Sequence, residues 1–150
     1  MGNKALEAGR DGEPQGGYTV VAYPAASLPV RYRGFVLAKW KRSLRQGNEY
    51  FKLVDSRCFF DAYGRYCDLL LGRPGAVVRV AALSEDPDVA LGWSLIEGAT
   101  LHYVYVQPDQ RRQGIAKALV PVEIEWITHL TNIGARIWSK HKTVKLDPFR

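Results

Sequence analysis

The chain has 150 residues, enough for one domain with its own hydrophobic core and too few for two. Its composition, 47% hydrophobic and 24% charged, is that of a globular protein. It contains neither the apolar run of about 18 to 20 residues that crosses a bilayer nor the apolar segment of a secretory signal, so we expect a cytoplasmic protein. Its formal net charge of +6 indicates an anionic partner, a condition that a phosphate-rich cofactor and a nucleic acid both meet.

The chain begins with a predicted flexible tail over residues 1–17. This segment includes five glycines and almost no large apolar side chain, so packing cannot offset the entropy lost on ordering. A single domain is predicted over residues 18–150. Its first element is a strand over residues 18–23, which are β-branched or aromatic apart from one alanine and stop at Pro24.

The next predicted element is a strongly basic amphipathic helix over residues 33–45. Apolar residues such as Val36, Trp40 and Leu44 recur there at helical spacing, while lysines and arginines occupy the other faces. The Gln-Gly-Asn sequence that begins after residue 45 is expected to end this helix.

A second helix is predicted over Ser56–Leu71, with Ser56 as its cap and an apolar stripe that includes Phe59. It contains both cysteines of the chain, Cys58 and Cys67. Nine steps of about 100° place the two thiols on opposite faces, so they cannot form a disulfide with each other. Without a CxxC pair or clustered histidines, no metal site is predicted.

The pattern then changes to that of strands. The predicted strands are Ala76–Leu83, residues 89–96 and Thr100–Val106, which form an antiparallel meander. The remaining predicted elements are a helix over residues 112–120, a strand over 127–130, a helix over 132–140 and a strand over 143–146.

The most informative segment, residues 106–119, joins a strand to a helix through a loop. Small residues at Gly114 and Ala116 leave the backbone amides open, and the positive end of the helix dipole points the same way. Arg111 and Arg112 add positive charge, so the segment predicts an anion site. Its spacing departs from that of the P-loop and of the dinucleotide fingerprint, which disfavours nucleoside triphosphates and NAD.

Residues 111–116 (Arg-Arg-Gln-Gly-Ile-Ala) resemble the cofactor motif of the GNAT superfamily of N-acetyltransferases, Arg/Gln-x-x-Gly-x-Gly/Ala. The motif follows a Val-x-Pro sequence that starts at Val106 and precedes an apolar pair that ends at Leu119. Asn132 begins a stretch similar to the family's Asn-x-x-Ala segment. The resemblance implies an α/β (α+β) fold with a mostly antiparallel central sheet flanked by helices, here with a truncated C-terminal part.

The resemblance also implies the cofactor, acetyl-CoA or another acyl-CoA. Backbone amides from about Arg112 to Lys117 would hold its pyrophosphate, Tyr105 and Val106 would pair with its pantetheine arm, and Asn132 would touch that arm. The cofactor-binding residues implied in this way are Tyr105, Val106, Arg111, Arg112, Gln113, Gly114, Ile115, Ala116, Lys117 and Asn132. The implied reaction is direct attack of an amine on the thioester.

The catalytic groups are less clearly marked. Glu97 and His102 are the nearest to the position of the family's general base. The simpler interpretation of Glu97 is a polar turn residue, and that of His102 is a histidine hydrogen-bonded in or beside the sheet. The family's usual tyrosine acid has no counterpart in the expected helix. That role falls to Tyr105 or Ser139, or stays vacant.

The acceptor is expected to be an amine of a small molecule, a protein or an aminoacyl-tRNA. The basic run from Arg31 to Arg45 contains no acidic residue, which favours an alternative, a GNAT-fold enzyme that modifies DNA bases or tRNA, about as well as it favours a solvated helix face. A non-catalytic GNAT-fold binding protein is the third hypothesis, and a homodimer is left open. The trimmed length resembles members encoded by bacteriophages.

Overall fold

The structure is a computed structural model, described here for residues 17–129, 131 and 143–150. Its helices are α1 (Val30–Gln46), α2 (Glu49–Leu53), α3 (Ser56–Leu71) and α4 (Ile115–Leu119), with single 3-10 turns at Ala25–Ser27 and Pro108–Gln110. Its strands are β1 (Tyr18–Pro24), β2 (Ala76–Leu83), β3 (Ala90–Glu97), β4 (Thr100–Val106), β5 (Trp126–Ile127) and β6 (Lys145–Leu146). The six strands form one sheet in sequential order.

The sheet is antiparallel through its first four strands. Val80 at the centre of β2 lies between Val21 of β1 and Trp93 of β3, and β4 follows β3 through a tight hairpin. At the other end, β5 runs parallel to β4 and β6 parallel to β5, each over two residues. The predicted mixed fold, with helices flanking a mostly antiparallel sheet, is confirmed.

The two faces of the sheet are covered unequally. Helices α1 and α3 pack their apolar stripes against one face, where Trp40 and Phe59 meet Trp93 of β3 in a large core. The other face carries a small core in which α4 places Ile115 and Leu119 against the sheet. Most of the buried apolar surface that stabilises the fold therefore lies on the α1 and α3 side.

Several predicted elements have the bounds that the structure shows, namely α3, β2 and β4. Helix α1 starts earlier than predicted, at Val30, directly after Pro29. The prediction missed α2, which begins where the side chain of Asn48 accepts a hydrogen bond from the Phe51 N–H at 3.2 Å. On α3, Cys58 is exposed and Cys67 is buried, as expected for opposite faces.

The predicted helix over residues 112–120 is wrong in its first part. Arg112 and Gly114 have φ values of 64° and 80°, in the left-handed region, so the right-handed helix begins only at Ile115. The predicted helix over residues 132–140 lies outside the described residues. No helix in the described part of the chain is long and apolar enough to cross a membrane.

Candidate active site

Strands β4 and β5 separate after a short region of pairing. They pair only at Thr100 and Leu101, and the Thr128 N–H makes a last backbone hydrogen bond to the Leu101 carbonyl oxygen at 3.3 Å. The Gln107 N–H donates to β3 at 2.8 Å, and amides alternate in direction along a strand, so the Val106 amide faces away from β3. Among the described residues, none pairs with this side of β4 beyond Leu101, which leaves a fork with an open β4 edge of the kind with which an extended ligand can pair.

A β-bulge interrupts β4 at His102. Leu95 lies opposite Tyr103 while Ile96 lies opposite Leu101, so β4 contains one extra residue between them. His102 and Tyr103 are consequently both buried. In a regular strand, His102 would share a face with Thr100 and Val104, and the bulge removes this alternation.

The loop that carries the predicted motif has an unusual backbone. The left-handed conformations of Arg112 and Gly114 alternate with ordinary ones, an arrangement that turns successive amides toward a common point and binds anions. A side chain at Gly114 would meet no atom within 4 Å, so the φ of this residue, rather than a lack of space, favours glycine. The amides of Ile115 to Lys117 precede the first helical hydrogen bond, from Ala118 to Gly114, and so have no acceptor in α4.

The side chains of this loop divide into exposed and buried ones. Those of Gln113, Ala116 and Lys117 are exposed, whereas Ile115 belongs to the small core, so only its amide can face a ligand. Because α4 has five residues, its dipole is smaller than that of the predicted helix, and the loop amides carry most of the attraction for an anion. Arg111 is held in place by a 3.0 Å hydrogen bond from its Nε to the Val106 carbonyl oxygen.

A cavity of about 420 Å³, here called the basic cavity, lies between α1 and the end of β4. Its lining includes Lys39, Arg42, Ser43, Tyr105, Gln107 and Arg111. Among the described lining residues there are three cations and no acid. The tertiary structure therefore brings part of the basic helix α1 beside the predicted cofactor loop.

Tyr105, one of the predicted proton donors, lines the basic cavity. Its hydroxyl donates to Gln107 Oε1 at 3.4 Å, and its ring packs edge-on against Phe35. Burial raises the pKa of Tyr105, which the charge of Arg111 only partly opposes, so the hydroxyl keeps its proton at neutral pH. Tyr103, by contrast, is a core residue that stacks on Trp40.

A second cavity, of about 540 Å³, is lined in part by Thr128 at the fork and is here called the aromatic cavity. Its lining includes Phe51, Tyr63, Tyr66, His129, Leu146 and Phe149. Its described lining residues include no Asp, Glu, Lys or Arg. The ring of His129 lies between those of Tyr66 and Trp40, with centroid distances of 5.5 and 5.8 Å.

Glu97 and His102, the two predicted bases, lie at one end of a buried polar chain. His102 Nε2 is 3.7 Å from Glu97 Oε2, and neither atom has a hydrogen-bond partner among the residues that the structure describes. His102 Nδ1 lies 3.0 Å from the Thr128 hydroxyl, which is 2.8 Å from Nδ1 of His129. Sequence reasoning missed Thr128 and His129, for which the only signal was a polar pair directly after the apolar β5.

His102 and His129, the two histidines of this buried polar chain, are neutral at pH 7. Burial lowers the pKa of His102, an effect that the nearby Glu97 carboxylate opposes. Burial lowers the pKa of His129 further, to about 4. Arg73 Nη1 lies 3.7 Å from Glu97 Oε1 on the other side of the carboxylate.

Two predicted site residues, Asn132 and Ser139, lie outside the described residues. The remaining ones fall into two groups. Tyr105 and Arg111 line the basic cavity and are continuous in the chain with Val106 and residues 112–117, whereas Glu97 and His102 lie at the fork. Within residues 17–129, 131 and 143–150 no group of three or more potential metal ligands occurs.

Comparison with known proteins identifies the family. The model of the acetyltransferase (GNAT) family matches residues 35–145. A protein of Pyrococcus furiosus assigned as an acetyl transferase has the same fold, with a TM-score of 0.54, 14% identity, and coverage of 86% of this chain and 78% of that one.

Two further solved structures are similar at lower TM-scores. One is a ribosomal-protein-alanine N-acetyltransferase of Brucella melitensis, with a TM-score of 0.49, 15% identity, and coverage of 89% of this chain and 93% of that one. The other is the aminoglycoside N-acetyltransferase AAC(6')-Iy in complex with CoA, with a TM-score of 0.40, 14% identity, and coverage of 86% and 73%. No curated protein matches the chain in sequence. The expected likeness to bacteriophage members stays a prediction. Because the family model spans most of the chain and the fold agrees, the chain belongs to the acetyltransferase (GNAT) family.

Proposed function

We propose that the chain is an acyl-CoA-dependent N-acyltransferase that uses acetyl-CoA and transfers the acyl group to an amine by direct attack on the thioester. The observation that carries the proposal is the position of the motif loop. Its left-handed Arg112 and Gly114 turn amides outward beside an open β4 edge and a cavity lined by three cations. A long ligand with phosphates at one end and an amide-bearing arm fits this combination.

The residues present suit such a cofactor. The amides from Arg112 to Lys117 would hold the pyrophosphate, with positive charge added by Arg111, Arg42 and Lys39 across the basic cavity. The outward amide of Val106 would pair with the pantetheine arm. The cofactor would supply an activated acyl carbon. The protein would orient this group, accept a proton from the amine and donate one to the departing thiolate.

We assign two proton-transfer roles as part of this proposal. Glu97 and His102 form the proton-accepting end, because burial keeps the His102 imidazole neutral at pH 7 and the Glu97 carboxylate lies 3.7 Å from its Nε2. Tyr105 is the proton donor for the departing thiolate, because it keeps its proton and lines the basic cavity. Ser139 as an alternative donor and Asn132 as a cofactor contact stay predictions.

The nucleic-acid alternative loses part of its basis. The run from Arg31 to Arg45 contains no acid of its own, but Arg31 lies 3.5 Å from Asp88 and Arg33 lies 3.2 Å from Asp68. Since Lys39 and Arg42 line the basic cavity as well, less of the charge is free to bind a phosphate backbone.

Calorimetric titration with acetyl-CoA, with CoA and NAD as controls, tests the proposal. We expect micromolar binding of both CoA compounds, none of NAD, and loss of binding in Gly114→Glu because the carboxylate would project over the anion site. Gly17→Glu is the matched control, because Gly17 has a similar φ of 77°, an added side chain there would also meet no atom within 4 Å, and the residue is far from the loop in sequence. A folded wild-type protein without affinity for CoA would contradict the proposal. Nucleic-acid binding that falls steeply with salt would then favour the alternative.

A further inference from the structure

We infer that the acceptor is a small primary amine with an apolar or aromatic body, which binds in the aromatic cavity with its nitrogen at Nε2 of His129. In this arrangement, Thr128 and His129 extend the polar chain of Glu97 and His102 to the amine and carry its proton away. The inference rests on the proposed acyl transfer and names its acceptor class and two further residues of the site.

The lining of the aromatic cavity selects the acceptor class. Its volume of about 540 Å³ lies within the range of small-molecule sites, and rings of Phe51, Tyr63 and Tyr66 supply flat apolar walls. An amine with one ammonium group can interact with such rings before it loses its proton. A polyamine or a phosphate-bearing acceptor would leave charges unpaired there, because no ionised side chain is found among the described lining residues.

The aromatic cavity adjoins the point where the acyl group is expected. Thr128 lines the cavity and also makes the last backbone hydrogen bond between β5 and β4, to Leu101. His129 is the next residue, so it lies where the β4 edge opens. An amine held at His129 is therefore beside the edge with which the acyl-bearing arm would pair.

The hydrogen bonds determine which nitrogen of His129 is available. The Glu97 carboxyl group lies 3.7 Å from Nε2 of His102 and favours the proton on that nitrogen, so Nδ1 of His102 accepts from the Thr128 hydroxyl at 3.0 Å. The other acceptor for this hydroxyl, the His102 carbonyl oxygen, is farther away at 3.4 Å. The Thr128 oxygen in turn accepts from Nδ1–H of His129 at 2.8 Å, which leaves Nε2 of His129 with its lone pair.

The proton path is balanced at each atom. An ammonium proton of the acceptor moves to His129 Nε2, the Nδ1 proton of His129 to Thr128, and the hydroxyl proton of Thr128 to His102 Nδ1. This leaves an imidazolium at His102, 3.7 Å from the Glu97 carboxyl group. The neutral amine then forms the new C–N bond as the C–S bond breaks. Its second proton goes to the thiolate, through Tyr105.

Charged and titratable groups surround this path on several sides. Arg73, after α3, faces Glu97, and Tyr63 and Tyr66 of α3 and Tyr103 of β4 have ring contacts with His129. Burial raises the pKa of Tyr63 and of Tyr103 to about 12, so these hydroxyls do not compete for the proton at neutral pH. Among these groups, Glu97 is the acidic side chain that lies beside the charge left on His102.

The test is a steady-state assay of CoA release with acetyl-CoA and 2-phenylethylamine, with spermidine as the polycationic comparison. We expect turnover of 2-phenylethylamine and at least about tenfold lower kcat/KM for spermidine. We expect Thr128→Val to lower kcat about 100-fold, since it keeps the side-chain shape and removes the hydroxyl, and Thr128→Ser to retain most of the activity. His129→Gln should lower kcat similarly while acetyl-CoA affinity is unchanged.

A second measurement does not depend on turnover. Titration with 2-phenylethylamine should shift the imidazole NMR signals of His129 in the wild-type protein. Acetyl-CoA binding together with a preference for spermidine, equal activity of Thr128→Val and Thr128→Ser, or an unchanged His129 signal would overturn the inference and leave the proposed function standing. Absence of acetyl-CoA binding would instead overturn the proposed function.

Discussion

The two cavities of this protein differ in character although both lie against helix α1. The basic cavity offers Lys39 and Arg42, whereas the aromatic cavity meets the same helix at Leu44. Trp40 lies in the core between these positions and touches His129 of the aromatic cavity. One helix thus supplies charge for an anionic ligand and apolar surface for an uncharged one, because its faces differ.

The largest effect is expected from Trp40→Ala, which would remove the core ring that contacts His129 of the aromatic cavity. Trp40 is fully buried and packs on Trp93 and Tyr103, so its loss should lower the free energy of unfolding by about 3–5 kcal/mol. Urea unfolding measures this. Tyr50→Ala is the control, because Tyr50 is 70% exposed, and should change stability by less than about 1 kcal/mol. Equal effects of the two substitutions would contradict the packing described for α1.

The aromatic cavity should make stability depend on pH through His129. Its pKa of about 4 in the folded protein lies below the ordinary 6.5, so between these values the unfolded chain binds a proton that the folded chain does not. The free energy of unfolding should therefore fall by about 3 kcal/mol as the pH decreases from about 6.5 to about 4. Urea unfolding across this range, compared with His129→Gln, isolates this contribution. A variant whose pH dependence matches that of the wild-type protein would show that His129 is not held neutral.

The affinity for CoA should depend on the charges that line the basic cavity rather than on the net charge of the protein. Arg42→Glu should weaken CoA binding about tenfold, since it places a carboxylate in the cavity that faces the loop. Arg65→Glu, on the exposed side of α3, changes the net charge equally and should have little effect. Calorimetry measures both affinities at one salt concentration. If both variants lost affinity equally, the cofactor would be attracted by the net charge of the protein and not by this cavity.

Much of the fold was readable from local sequence patterns. The bounds of α3, β2 and β4 agree with the prediction because each element carries a complete apolar period between residues that end it. The extent of α4 was not readable in this way. Residues 112–120 have a helical composition, but left-handed conformations at Arg112 and Gly114 delay the helix to Ile115.

The sequence by itself determined most of the larger elements and the position of the motif loop, because periodicity, capping and glycine placement act over a few neighbouring residues. Only the tertiary structure decided that Lys39 faces the loop that follows β4, and that His129 joins His102 through Thr128. Those contacts connect residues far apart in the chain, through the order of strands, the bulge at His102 and the packing of α1 on the sheet. No local pattern encodes them, since they depend on the simultaneous burial of several elements in one core.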